Sequence, residues 1–467
     1  MDSFYNNQSF GGLRMNNQSL IEFEPYKIFR NNGKNYVFKI NDNKLFQIDS
    51  RTEQFLREEG KTIEQGFHSL RELFTQEEYL NLIQGMMAAN FFKNQIEESV
   101  FTDIPKNGVG LSSLTLMLIQ ECNMKCSYCY GEGGEYFNKG KMSIDTAIKA
   151  VDYLIKESKE KELLVAFFGG EPLMNFRLIK EVVKYCKGKE ISTNKIFRFT
   201  ITTNGTLINK RIEDFLVENN VMIQISLDGN KKQHDKNRFF ENRRGSYDLI
   251  LDRTKSLRER TRVSGRATLT SENLNYTEIY NHLNDLGFSA IPMAVAENMI
   301  DDEAYEIRIK EFIRLIHYCK ELIDLKKYDD VVKIPMIYGI LQKLEFPEER
   351  QVGCNVGQGV YAVDIDGSLF PCHRFVSKEN FKIGDLEIGV ENVQEFKDKQ
   401  HVLNHVKCDS CWARNLCLGG CPFENYEQTG FMEKASSRYC KFMKMTSEEI
   451  VKLYLELNNE DRKKLFH

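Results

Sequence analysis

The sequence lacks the features that direct a protein to a membrane or to nucleic acid. No apolar run approaches the roughly 20 residues needed to span a bilayer, and residues 1–20, rich in Asn, Gln, Gly and Ser, contain no secretory signal. The formal net charge of −4 gives no electrostatic reason to bind nucleic acid or an anionic membrane. We therefore expect a cytoplasmic protein that uses neither as a partner.

Cysteine is the unusual residue type, with 12 in a chain of 467 residues. Cytoplasmic proteins make little use of disulfides, so clustered cysteines there indicate metal binding or catalysis. Three cysteines lie within 122–129 and seven lie between 354 and 440. Cys186 and Cys319 stand alone, and we interpret them as small buried apolar side chains.

The middle of the chain alternates between strand-like and helix-like patterns from Ser113 to about Ala296. Six such β/α repeats predict an α/β fold, a parallel sheet curled into a partial (β/α)6 TIM-like barrel. Active sites of such sheets form at the carboxyl ends of the strands. The predicted strands are 114–119, 163–168, 197–202, 221–227, 262–269 and 288–295, and the helices are 143–157, 176–187, 209–219, 246–260 and 275–286.

A small winged-helix-like module precedes the barrel. Strand-like runs flank an Asn-Asn-Gly turn, and Ser50–Glu53 and Thr75–Glu78 read as capping boxes that open helices. A charged helical stretch, 303–327, leads from the barrel to a cysteine-rich, turn-rich region. The predicted divisions are a mobile tail (1–20), the winged-helix-like module (21–97), a linker (98–112), the barrel (113–340), a C-terminal cysteine-rich domain (350–445) and a closing helix (446–467).

The first cysteine cluster follows the first barrel strand with the spacing C-x3-C-x2-C, at Cys122, Cys126 and Cys129. Three thiolates on one short loop can hold three irons of a 4Fe–4S cube and leave the fourth iron without a protein ligand. An open coordination position is typical of a catalytic metal centre. The alternative is a zinc site with a fourth ligand from elsewhere, although zinc loops favour paired C-x2-C units.

With Tyr128 in the aromatic position, this run resembles the signature of the radical S-adenosylmethionine (SAM) superfamily. The resemblance implies that the three cysteines bind a 4Fe–4S cluster whose open iron binds the amino and carboxylate groups of SAM. One-electron reduction would then give methionine and a 5′-deoxyadenosyl radical that abstracts a hydrogen atom.

Further residues at strand ends fit this resemblance. Gly169-Gly170-Glu171 is similar to the family motif that holds the methionine amino group. Small polar residues end the third and fourth strands, where relatives contact the ribose and carboxylate, and Arg238 is suited to pairing with that carboxylate. A helix-capping or surface ion pair is the alternative for Arg238. The implied cofactor-binding residues are Tyr128, Gly169, Gly170, Glu171, Thr203, Asn204, Ser226, Asp228 and Arg238.

The second cysteine cluster resembles the SPASM extension of radical SAM enzymes that modify peptides and proteins. That resemblance implies two auxiliary 4Fe–4S clusters, so three clusters in all. Paired zinc ribbons are the alternative reading of the spacing. One auxiliary cluster would be held by Cys408, Cys411, Cys417 and Cys440, and an inner one by Cys354, Cys372 and Cys421.

The inner set lacks the extra cysteine that some relatives carry shortly after the position of Cys354. This departure implies an open iron, or a ligand that the sequence does not identify. An open iron could bind and activate a substrate thiolate.

The N-terminal module resembles the peptide-recognition element of peptide-modifying systems, in which an exposed edge strand captures a leader peptide. The alternative is a module that merely packs on the barrel. The expected partners are therefore a precursor peptide with a leader and a reductant such as flavodoxin or ferredoxin. The chain thus resembles peptide maturases of the sactipeptide and ranthipeptide type, which form thioether crosslinks from Cys to carbon.

Two other functions remain open at this point. One is a different radical modification, namely formylglycine formation, carbon–carbon crosslinking or epimerisation. The other is a redox-sensing winged-helix regulator, which the absence of a basic stripe in 26–97 disfavours. The sequence identifies no catalytic base.

Overall fold

The computed structural model describes residues 17–93, 110–136, 138–348, 351–376, 378–391 and 393–467. The predicted linker, apart from 110–112, and residues 1–16 of the predicted tail lie outside these ranges. Residues 17–20 differ from the predicted mobile tail, because the Ile63 amide donates to the Ser19 carbonyl at 3.0 Å and Leu20 forms a β-bridge with Thr62. No helix in these ranges combines the length and apolarity that crossing a membrane requires.

The N-terminal module is an antiparallel sheet in the order β1-β2-β3, followed by helices. Asn32 and Gly33 have φ of 48° and 74°, as a tight hairpin turn requires. The predicted capping box at Thr75 is confirmed, but Asp49, not Ser50, caps the first helix by accepting from the Thr52 amide. The elements are β1 (Tyr26–Asn31), β2 (Lys34–Lys39), β3 (Lys44–Ile48), α1 (Ser50–Phe55), α2 (Ile63–Leu70) and α3 (Gln76–Ala88).

The barrel contains the predicted parallel sheet, with strands in the spatial order β11-β10-β8-β7-β6-β4. Alternating burial explains the strands: β6, for example, turns every second side chain into the core. Cys186 and Cys319 are buried in that core, as predicted. The elements are β4 (Ser113–Met117), β5 (Lys125–Cys126), α4 (Ile144–Glu157), β6 (Glu162–Phe168), α5 (Phe176–Thr193), β7 (Ile196–Thr203), α6 (Lys210–Glu218), β8 (Met222–Ser226), α7 (Lys231–Asn237), β9 (Arg238–Phe239), α8 (Tyr247–Arg260), β10 (Val263–Leu269), α9 (Tyr276–Asp285), β11 (Met293–Val295), α10 (Asp302–Asp324), α11 (Tyr328–Val332) and α12 (Pro335–Glu345).

The cysteine-rich region continues the barrel sheet. Its first strand pairs in parallel with β4, with Val360 opposite Ser113 and Val363 opposite Leu116. The three short strands after it add to the sheet in antiparallel fashion. The elements are β12 (Val360–Val363), β13 (Ser368–Phe370), β14 (Gly384–Asp385), β15 (Gly389–Val390), α13 (Val393–Gln400), α14 (Arg414–Cys417), α15 (Pro422–Thr429), α16 (Ser437–Glu456) and α17 (Asn459–Phe466).

The N-terminal sheet packs against the C-terminal part of the chain. Trp412, the single tryptophan of the sequence, lies edge-on to Phe29 with ring centroids 5.3 Å apart. The Lys27 ammonium sits 4.2 Å from the centroid of the same indole ring and forms an ion pair with Glu448 at 2.7 Å. Asn415 donates to the Ile40 and Asn41 carbonyls at 2.6 and 2.7 Å. These contacts fix the module beside the cysteine-rich region.

Candidate active site

The first three cysteines lie together on the loop after β4, at the carboxyl end of the sheet. Cys122, Cys126 and Cys129 interact electrostatically with one another. Burial raises the pKa of Cys122 to about 12 and is the main cause that raises the pKa of Cys126 to about 11. Such thiols stay protonated at neutral pH unless a cation binds them.

The spacing of these thiols bears on the kind of metal they suit. Among the described residues, no three His, Cys, Asp or Glu side chains converge as closely as ligands of a single ion. Thiolates on separate irons of a cube stand farther apart than the ligands of one zinc ion. The assignment of the three thiols to an iron–sulfur cluster stays a prediction.

The two glycines after β6 allow the chain to pass directly behind this loop. A Cβ on Gly170 would lie 2.1 Å from the Glu121 carbonyl oxygen, and one on Gly169 would lie 2.3 Å from that of Ile119. Gly169 also has a φ of 137°, which favours glycine. On the other side of the loop, a Cβ on Gly134 would lie 2.6 Å from the Cβ of Cys122. Close backbone packing therefore fixes the loop.

Glu171 is buried among hydrogen-bond donors from the next strand end. Its carboxylate accepts from the Thr203 hydroxyl and the Asn204 amide, each at 2.7 Å, and from the Leu173 amide at 3.0 Å. Burial nevertheless raises the pKa of Glu171 to about 7. The Asn204 side chain reaches the Cys122 sulfur at 3.9 Å, which links Glu171 to the cysteine loop. A buried carboxylate at this point suits an incoming cationic group.

Asp228 and Arg238 form a buried pair beside Cys126. The Arg238 Nε donates to Asp228 at 3.1 Å, its Nη1 approaches the Cys126 sulfur at 3.7 Å, and the Tyr128 hydroxyl also donates to Asp228. The other oxygen of Asp228 accepts from the Thr268 amide at 2.9 Å. Arg238 therefore already has an internal partner, and its pairing with a cofactor carboxylate stays a prediction. Ser226 lies buried at the end of β8.

Several residues that the sequence reading missed line the space inside the barrel. Tyr130 is 39% exposed there, although the rings of Tyr136, His373 and Phe423 lie 6.0 to 6.4 Å from its centroid. The Arg374 guanidinium lies 5.1 Å from the Tyr130 ring. The Cys-His-Arg run that begins at Cys372 was the available signal, because it puts two polar side chains directly after a predicted cluster ligand.

Apart from Cys186 and Cys319, which are buried in the core, the remaining seven cysteines form two groups. Cys408, Cys411, Cys417 and Cys440 interact electrostatically with one another. Cys354 and Cys372 each interact with Cys421. Cys354 and Cys421 are exposed, whereas Cys372 is buried beside the barrel interior. These are the two sets that the sequence predicted, and their role as ligands stays a prediction.

Comparisons with known proteins identify the barrel. Residues 116–286 match the model of the radical SAM superfamily. The cysteine-type anaerobic sulfatase-maturating enzyme of Clostridium novyi is 27% identical over 342 residues, which cover 67% of this chain and 87% of that protein. The radical SAM cyclopropyl synthase TigE of Paramaledivibacter caminithermalis is 24% identical over 364 residues, which cover 72% and 74%.

A solved structure described as native anSMEcpe with bound AdoMet and Cp18Cys peptide has a similar fold. The TM-score is 0.63 at 21% identity, over 74% of this chain and 99% of that chain. Residues 116–286 therefore match the radical SAM superfamily on a TIM-like partial barrel, and the chain is similar in sequence and fold to anaerobic sulfatase-maturating enzymes.

Proposed function

We propose that this chain is a radical SAM peptide maturase that installs Cys-to-carbon thioether crosslinks in a ribosomally made precursor peptide. Cys122, Cys126 and Cys129 would hold the 4Fe–4S cluster that binds SAM, with Glu171 facing the methionine amino group. When both are bound, the cluster and SAM together supply a 5′-deoxyadenosyl radical on one-electron reduction. In this proposal 21–97 recognises the peptide, 113–340 generates the radical and 350–445 holds two auxiliary clusters, with flavodoxin or ferredoxin as reductant.

The group of Cys354, Cys372 and Cys421 is the observation that carries the proposal. All 12 cysteines of the chain are accounted for, and none is left to complete this group. The Arg374 Nη1 reaches the Cys421 sulfur at 3.9 Å, which joins the group to the space around Tyr130. A cluster held by three thiolates here would offer its fourth iron to a peptide Cys and keep that sulfur as thiolate.

Thioether formation balances with these parts. The peptide loses two hydrogens: one leaves as an atom from the carbon that is modified, and the other leaves as the proton of the Cys thiol. An auxiliary cluster, if held by the C-terminal cysteines, would supply the acceptor for the one electron released when the thiolate bonds to the carbon radical. The chain must therefore hold thiolate and carbon close together and exclude water.

The N-terminal module supports a leader-bearing substrate. Its sheet runs β1-β2-β3, and β1 faces α16 through the ion pair of Lys27 and Glu448. Within the described ranges, the outer edge of β3 has no strand paired to it, so an extended peptide can add there. Because the module is docked beside the cysteine-rich region, a bound leader raises the effective concentration of the core peptide.

Formylglycine formation is the second candidate, favoured by the likeness to sulfatase-maturating enzymes. The two reactions differ in the fate of sulfur: formylglycine formation from Cys removes it, whereas a thioether retains it.

The test uses the full-length protein, reconstituted anaerobically with iron, sulfide and SAM and reduced with dithionite. The probe is the synthetic product of the short Cys-containing reading frame nearest to the gene. We expect mass spectrometry to show a loss of two hydrogens per crosslink, with the thiols protected from alkylation. Products in which every Cys remains alkylatable would contradict the thioether, and loss of sulfur would establish the second candidate. Cys354→Ala is expected to abolish crosslinking while 5′-deoxyadenosine is still released.

A further inference from the structure

Arg266 is a cation inside the barrel that the proposed chemistry has not used. It lies on β10 between two residues that face outward: a Cβ on Gly265 would meet the Phe288 ring at 2.8 Å, and Ala267 is buried in the core beneath the helices. Successive side chains on a strand point to opposite faces. Arg266 therefore faces the barrel interior, in register with Ser226 on β8.

The neighbouring charged and aromatic groups show where the guanidinium of Arg266 lies. It interacts electrostatically with Tyr130 and Tyr128, and with Arg238 and Arg374. Arg238 and Tyr128 lie beside the first cysteine loop, and Arg238 contacts the Cys126 sulfur. Arg374 contacts the Cys421 sulfur in the C-terminal cysteine-rich region. The guanidinium of Arg266 thus lies near groups from both cysteine sites, and the proposed chemistry requires the substrate to bind between those sites.

Among the described residues, Arg266 differs from its two cationic neighbours in having no anionic partner. Arg238 pairs with Asp228 at 3.1 Å and Arg374 pairs with Glu424 at 2.5 Å. Across the described ranges, no ion pair or side-chain hydrogen bond involves the guanidinium of Arg266. Arg266 is only partly buried, so its side chain is open to accessible space.

The charges around this space are unbalanced. Burial and the repulsion from Arg238 and Arg374 act together against the charged form of Arg266 and lower its pKa. An anion between the three guanidinium groups would relieve that repulsion. A carboxylate matches the planar fork of an arginine through two parallel hydrogen bonds.

We infer that Arg266 binds a carboxylate of the peptide, the side chain of an Asp or Glu near the modified position, and thereby selects the segment that reacts. The inference rests on the proposed function and makes Arg266 a specificity-determining residue. The carboxylate of SAM is the competing source of the same chemistry, because Ser226 lies beside Arg266 in the sheet.

The experiment combines an acid scan of the peptide with Arg266→Gln and Arg266→Lys in the reconstituted full-length enzyme. Each Asp and Glu of the probe peptide defined above is replaced singly by Asn or Gln. We expect one replacement to lower kcat/KM for crosslinking by about tenfold to a hundredfold with the wild-type enzyme. Arg266→Gln should cause a similar loss with the unchanged peptide and little further loss with the replaced one. Arg266→Lys should restore part of the activity.

Two measurements separate this role from the alternatives. SAM affinity, measured by equilibrium dialysis, and iron content should change less than about twofold in Arg266→Gln. A tenfold loss of SAM affinity, additive losses in the double replacement, or full crosslinking of a peptide without any carboxylate in its core would each overturn the inference. If the wild-type enzyme releases 5′-deoxyadenosine but crosslinks no version of the peptide, the proposed function fails and the inference falls with it.

Discussion

Asn415→Ala tests whether the N-terminal module is held by the contacts described above. The Asn415 side chain is 4% exposed and donates to the Ile40 and Asn41 carbonyls at 2.6 and 2.7 Å. Each lost bond leaves a carbonyl without its donor and costs roughly 1–2 kcal/mol, so the substitution should make docking of the module less favourable by about 2–4 kcal/mol. Trp412 reports on this interface, because Phe29 and Phe38 lie against its ring.

The assay is an anaerobic urea titration of the reconstituted protein, followed by Trp412 fluorescence and by far-UV circular dichroism. In Asn415→Ala the fluorescence transition should move to lower urea and precede the dichroism transition. Asn404→Ala is the matched control, since Asn404 is exposed and bonds only within its own segment, to the Asp398 carbonyl. If Asn415→Ala shifts the fluorescence midpoint no more than Asn404→Ala does, the module is not held in this way.

Two further predictions concern the radical site, and a third concerns the group of Cys408, Cys411, Cys417 and Cys440. Gly170→Ala should abolish SAM cleavage, because its Cβ would lie 2.1 Å from the Glu121 carbonyl; Gly188→Ala, in open space within α5, should retain activity and gain up to about 1 kcal/mol of stability. Because the pKa of Glu171 is raised to about 7, SAM affinity should fall about tenfold per pH unit below that value, until the pKa of the bound state is reached. Glu171→Gln should remove this dependence. Cys440→Ala should lower iron from about 12 to about 8 atoms per chain but leave release of 5′-deoxyadenosine measurable.

A different result would contradict each of these expected outcomes. Activity retained in Gly170→Ala would show that the loop can move away from the glycines. A flat affinity profile in the wild type, measured by equilibrium dialysis from roughly pH 5.5 to roughly pH 8, on both sides of the raised pKa of about 7, would remove Glu171 from SAM binding. The same raised pKa has an opposite effect on the SAM-free fold, whose stability should fall as pH rises from 4.5 towards about 7. Full iron content in Cys440→Ala would refute its role as a ligand.

The barrel could be predicted because its strands and helices each carry their own hydrophobic period. The exceptions arise from contacts that are distant in sequence. The strand predicted over 288–295 is reduced to β11, Met293–Val295, since the apolar residues before it fill core positions; Phe288, for example, packs against Gly265. β12 was missed because its partner, β4, lies far away in the chain.

The site could be predicted where chemistry fixes the residue types and not where only the fold brings residues together. Cysteine spacing indicated the groups that the structure brings together. Arg266 looked like any polar residue on an alternating strand, and its lack of a partner is visible only once Asp228 and Glu424 are seen to be taken by Arg238 and Arg374. Asp49 was missed as a helix cap because Ser50 is an equally good cap by type.

The pairing of β12 with β4 has a mechanical consequence. Four residue pairs, from Val360–Ser113 to Val363–Leu116, join β12 to β4, the strand before Cys122. β12 in turn pairs with β13, the strand before Cys372. The separation between the Cys122 loop and Cys372 is thus set by backbone hydrogen bonds between paired strands and not by a flexible linker. A chain cut between α12 and β12 would leave the edge of β4 bare, so the isolated barrel should self-associate along that edge.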